Sequence, residues 1–133
     1  MGYAPSPMAY AYSVDGVNRL VRVSISGEFT RKEAAAITKD LSDDARVAAD
    51  FCELIDMSAV TSIESVSSNH IRQRAGTQLL PVSRRAFVAP QPAIYGLCRM
   101  FATFREMADG SEPVAVFRTT CEAEEWLGVA RGP

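Results

Sequence analysis

FCELIDM, residues 51–57, decides the fold: it is short, almost wholly apolar, and carries Asp56 near its end. Such a run reads as a central β-strand buried on both faces, the kind found inside a parallel sheet covered by helices. RRAFVAP, residues 84–90, is a second short apolar strand, stopped by Pro90 and Pro92, and PVAVFR, residues 113–118, is a third. Between these two, Ile94, Leu97, Met100, Phe101, Phe104 and Met107 fall at helical intervals. They predict an amphipathic helix from Ala93 that ends before Asp109-Gly110. A hydroxyl-rich loop and helix, residues 62–78, precedes the second strand. A short helix over 120–127, with Trp126 and Leu127 inward and Gly128 as its C-cap, follows the third.

Upstream of FCELIDM the period changes to two. Met8, Tyr10, Tyr12 and Val14 alternate with small or polar residues, as do Val21, Val23 and Ile25 with Arg22, Ser24 and Ser26. Asp15-Gly16 and Asn18 between them tolerate the backbone of a tight turn, so the two strands form an antiparallel hairpin closed by Gly27. Thr30 with Glu33 reads as a capping box that starts a helix over 30–41. Its stripe of Ala34, Ile37 and Leu41 is thin, which predicts a helix lying close against the sheet.

The resulting order is strand, strand, then three helix and strand pairs, then a helix. That is a single α/β domain over residues 8–128: a five-stranded mixed sheet with an N-terminal hairpin, the other strands mostly parallel, and four helices. Residues 1–7 and 129–133 read as tails. In parallel sheets ligands collect at the carboxyl ends of strands, here the loops after Met57, Ala89 and Arg118.

Composition agrees with one globular domain: 133 residues, 47% hydrophobic, 23% charged and a net charge of -2. Nucleic acid is not an expected partner, because phosphate neutralisation needs a clustered cationic excess and only Arg72 with Arg74 and Arg84 with Arg85 stand close. No basic region precedes an apolar run and no stretch of about 18 apolar residues occurs, so the expectation is a cytoplasmic chain without an integral membrane segment. Cys52, Cys98 and Cys121 are odd in number and form no C-x-x-C pair, which reads as reduced, structural thiols. His70 is the one histidine; with no nucleophile elbow and no second histidine it reads as a surface residue, neither catalytic base nor metal ligand. No cofactor is expected and no catalytic residue is assigned, so the reading is of a protein that is not an enzyme. Tyr95, Arg99 and Thr103, opposite the apolar stripe of the long helix, read with Arg84 and Arg85 as a solvated face or a polar contact surface.

One constellation stands out. LIDMSAVTSIES, residues 54–65, runs from buried strand through an aspartate into a hydroxyl-rich loop. It resembles the signature of the STAS domain, the fold of anti-sigma factor antagonists of the SpoIIAA type and of the cytoplasmic ends of sulfate transporters. There the strand enters an Asp-x-Ser-x-Val-x-x-Ile/Met-Asp-Ser-Ser-Gly pattern, and Asp56, Ser58, Val60, Ile63, Glu64 and Ser65 match it in order. The second half of the chain is similar to a bacterial branch of that superfamily grouped with CRAL-TRIO lipid-binding proteins, many of whose members have no assigned function.

The resemblance implies a regulatory module that presents this loop to a protein partner. Its phosphoacceptor serine falls on Val66 and its glycine on Ser67, so the phosphorylation switch does not carry over to Val66. Ser65, Ser67 and Ser68 are the replacements within reach, since a helix start favours a phosphate; the same serines also read as a helix cap and a solvated face. Asp56 reads either as a functional acid or as a residue accepting loop amides. Met100, Phe101, Phe104 and Met107 form the other candidate group, a soft apolar stripe that fills the core, lines a pocket for a small apolar or lipid-like ligand, or makes a homodimer interface.

Overall fold

A computed structural model describes residues 9–129; Met8, expected at the start of the first strand, and the tails at 1–7 and 130–133 lie outside the described residues. Strands β1 (Ala9–Asp15) and β2 (Leu20–Glu28) form the expected antiparallel hairpin, with Tyr10 opposite Ile25 and Tyr12 opposite Val23. The Asp15 carboxylate closes the turn by accepting the backbone N–H groups of Val17 and Asn18 at 3.1 and 3.0 Å. Then follow α1 (Arg31–Asp43), β3 (Cys52–Ser62), α2 (Ser68–Gly76), β4 (Arg85–Val88), α3 (Pro92–Glu106), β5 (Val114–Phe117) and α4 (Thr120–Leu127).

The sheet order is β1-β2-β3-β4-β5, with β2 to β5 mutually parallel. Each crossover moves one strand in the same direction, and the fixed hand of such crossovers puts their helices on one face. Val21, Val23, Ile25, Ile55 and Met57 accordingly meet Ile37 and Leu41 of α1 and Ile94 and Cys98 of α3. Ile71 and Ala75 of α2 pack with Phe101 of α3. Helix α4 comes last and covers the other face, where Leu20, Leu54, Ala86 and Val88 meet Ala123 and Leu127, joined by Val129.

Three local readings are corrected. β3 does not end at Met57 but continues to Ser62, so Asp56 lies inside a strand rather than at its end. Ser24 pairs with Asp56 and Ser26 with Ala59, so three residues of β3 span two of β2. This bulge leaves Ser58 and Ala59 both exposed and erases the alternation that marks a strand. A second irregularity follows at Gly27, whose φ of 78° a side chain would strain.

Because the strand takes residues 58–62, α2 begins later than expected and is shorter than 62–78. The capping box also sits elsewhere. At α1 the Glu33 N–H donates to Thr30 Oγ1 at 3.4 Å, but Glu33 Oε2 is buried without a partner. The reciprocal pair is Ser67 with His70 at α2.

Candidate functional site

Helix α1 is drawn toward the hairpin edge of the sheet. Ile37 and Leu41 bury against β2, and Tyr10 and Tyr12 of β1 donate their hydroxyls to Asp40 of α1 and to Asp44, its C-cap, the second at 3.0 Å. Helix α2 instead packs along α3. Between them the sheet is left partly uncovered, and a cleft of about 290 Å³ opens over β2, β3 and β4. Ala34, read as a small residue for close approach to the sheet, and its neighbour Ala35 line this space and leave it unfilled.

Val23, Ile25, Ile55, Met57 and Phe87 make the floor; Ile71, Leu97, Cys98 and Phe101 make the far wall. Phe87 and Phe101 meet edge to face, centroids 5.5 Å apart. Val66, at the position where the resemblance puts a phosphoacceptor, is an apolar part of this lining. The cleft is open to solvent rather than enclosed. It does not lie beyond the strand ends, since a sheet whose parallel strands run in unbroken order has no reversal point at which a crevice forms.

One end is polar. Glu53 and Arg85 occupy paired positions on β3 and β4 and form a buried ion pair. Arg85 also donates to Glu112 Oε1 at 3.1 Å and to the Leu80 carbonyl at 2.7 Å. Arg105 donates to Glu112 at 3.0 Å and to the carbonyls of Ala75 and Thr77. Burial pushes the Glu53 carboxyl up, against the pull of Arg85. Arg74 of α2 reaches across to donate to Thr38 Oγ1 of α1. Its pKa is lowered, first by burial and then by the Arg85 cation.

The serine stretch uses its hydroxyls locally. Ser58 donates both its N–H, at 2.9 Å, and its hydroxyl to Asp56 Oδ1, clamping the bulge. Ser65 donates to the Phe29 carbonyl at 3.1 Å. Ser67 Oγ accepts the His70 N–H at 3.3 Å while His70 Nδ1 accepts the Ser67 N–H at 3.1 Å. Ser68 is exposed on the first turn of α2. His70 is thus a capping residue that also touches the cleft.

Of Met100, Phe101, Phe104 and Met107, Phe101 alone lines the cleft. Phe104 is half-buried under Arg72, with the guanidinium 4.9 Å from its ring, and Met100 and Met107 are exposed. Arg85 is a buried ion-pair residue and not part of a contact surface, which corrects its grouping with Tyr95 and Arg99. Tyr95 is covered by Arg118, and the exposed Arg84 lies over the Trp126 ring. Among the described residues no group of acidic, histidine or cysteine side chains is arranged to hold a metal ion, and no helix is long and apolar enough to cross a membrane.

Sequence reasoning missed Glu53 and Arg85. The signal was present, because a charge inside a strand buried on both faces demands a partner.

No protein-family model matches the chain, and no curated protein matches it. Among solved structures it is similar to an uncharacterized protein of the DUF3478 family with a SpoIIAA-like fold from Shewanella loihica PV-4. The identity is 12%, 95% of this chain and 99% of that chain are covered, and the TM-score is 0.58. The fold is therefore SpoIIAA-like, as the 54–65 stretch implies.

Proposed function

We infer that this domain is a non-enzymatic binding protein for a small, mainly apolar molecule held in the cleft between α1 and α2. The observation that carries the reading is the cleft itself: about 290 Å³ with aliphatic and aromatic walls and a few polar groups gathered at one end. An apolar cavity of ~150 Å³ admits benzene, so this one suits a molecule of roughly a dozen non-hydrogen atoms. That is the low end of the range for small-molecule sites, and the mixture of apolar walls with few polar groups is their usual make-up. The hydroxyls of Ser58, Ser65 and Ser67 are engaged in holding backbone and caps, and burial pushes the Cys98 thiol up to about 12, which makes it a poor nucleophile.

Calorimetry with 1-octanol tests the reading. Saturable binding by the wild type, lost in Ala34→Phe with the fold retained, is the expected result. Absence of saturable binding by the wild type contradicts it.

A second reading, a module that docks a protein partner or a second copy of the chain, is favoured by the ribbon formed where β3 outruns β4. Beyond Asp56, β3 pairs with β2 only, and Ser58, Ala59 and Thr61 are exposed there. Gln91 donates to the Ser58 carbonyl at 2.7 Å on the open side and partly blocks that edge. Sedimentation of the wild type and of Thr61→Arg over a range of concentrations tests the self-association form.

A further inference from the structure

The polar cluster that reaches the cleft through Glu53, Arg74 and Arg85 carries an unbalanced charge. Arg74, Arg85 and Arg105 face Glu53 and Glu112, and three guanidiniums against two carboxylates leave one positive charge. Arg85 contacts both carboxylates, and Arg105 is held by Glu112 and two carbonyls. The surplus cation is therefore Arg74. Among the described residues its side-chain hydrogen bond goes to the Thr38 hydroxyl, and Glu53, already paired with Arg85, acts on it only through charge without forming an ion pair with it.

A guanidinium has five N–H donors in a planar fork that fits a carboxylate edge-on, and a hydroxyl that accepts one of them keeps its own proton to donate. Both groups line the cleft, where Ile55, Phe87, Leu97 and Phe101 continue the surface in apolar form. A half-buried cation beside an apolar trough attracts an anion joined to an apolar body, and the pair is strengthened by exclusion of water. The single surplus charge of the cluster matches a monoanion; the second charge of a dianionic head would find no partner in it. Arg31, also on the lining, is exposed and solvated.

We propose that the ligand class is a medium-chain carboxylate, its head held by Arg74 and Thr38 and its chain lying along Ile55, Phe87, Leu97 and Phe101. This rests on the reading of the cleft as a binding site and adds the chemistry of the head group.

The test is calorimetry at low salt with sodium octanoate and 1-octanol, which share a chain and differ in the head. The wild type binds octanoate about tenfold tighter or more, as one charge-assisted contact warrants. Arg74→Met abolishes the difference in affinity between octanoate and 1-octanol, and Arg74→Lys keeps part of the preference. Equal wild-type affinities for the two, or a preference that survives in Arg74→Met, overturns the proposal and leaves the cleft reading standing. Failure of both probes to bind the wild type overturns both. The wild-type comparison needs no variant, so it decides even if Arg74→Met does not fold.

Discussion

Glu53 and Arg85 face each other across β3 and β4 at paired positions, and each side chain in their ion pair is only 5% exposed. A charge removed from water at this depth is tolerated because its partner and further hydrogen bonds replace the solvent. Arg85 serves two carboxylates, Glu53 and Glu112, which ties β3, β4 and the segment before β5 together at the polar end of the cleft.

Arg85→Met strands Glu53 and deprives Glu112 of one of its two cations. Urea denaturation is expected to show a loss of about 3–5 kcal/mol. The double variant Glu53→Leu with Arg85→Met removes the stranded charge, and it should be more stable than Arg85→Met alone. A double variant no better than the single one would show that the pair contributes little beyond packing.

Ser67 is the N-cap of α2 and exchanges hydrogen bonds with His70. Ser67→Ala should cost about 1 kcal/mol in the same denaturation experiment. A Ser68→Ala variant, which leaves the cap in place, should change stability little. Equal effects from both would remove the capping account of Ser67.

The three thiols differ in environment: Cys121 is exposed, Cys52 half-buried, and Cys98 buried against the cleft with its pKa raised to about 12. Labelling at mildly alkaline pH by a water-soluble disulfide reagent should modify Cys121 first. Cys98 should react on the timescale of unfolding, because its thiolate is scarce and covered. Mass-mapped labelling of Cys98 as fast as Cys121 would contradict the packing described around α3.

Hydrogen bonds from the Arg46 side chain and then its backbone N–H hold Asp44 far below its ordinary value of 3.8. Between the two values the unfolded chain binds a proton that the folded one does not. The stabilisation is therefore present above 3.8 and is lost as pH falls through the folded value. Asp44→Asn should flatten the acid limb of a stability profile taken from about pH 5 to about pH 2. Asp15 and Asp50 shift in the same direction, so part of the limb remains. An unchanged limb in Asp44→Asn would contradict the assignment.

The hairpin strands and the long helix were legible because each carries its own period: Tyr10 and Tyr12 alternate with small residues, and Ile94, Leu97, Phe101 and Phe104 recur at helical spacing. The end of β3 was not, because its bulge at Ser58 breaks the alternation on which a strand is recognised. Nor was the cleft, since Ala34 reads equally as a residue that lets a helix approach a sheet and as one too small to fill the gap beneath it. Which applies depends on where Tyr10, Tyr12 and Leu41 pull α1, a matter of tertiary contact. The pairing of Glu53 with Arg85 likewise depends on the register of two strands 32 residues apart in sequence.

The claim that the cleft between α1 and α2 is a binding site is tested most directly by an amide NMR titration of the wild-type protein with 1-octanol. The account predicts saturable shifts concentrated at Ala34, Ala35, Ile55, Phe87, Leu97 and Phe101, with the exposed Met107 unmoved. Shifts that fail to saturate, or that centre on Met107 and the outer face of α3, would contradict it.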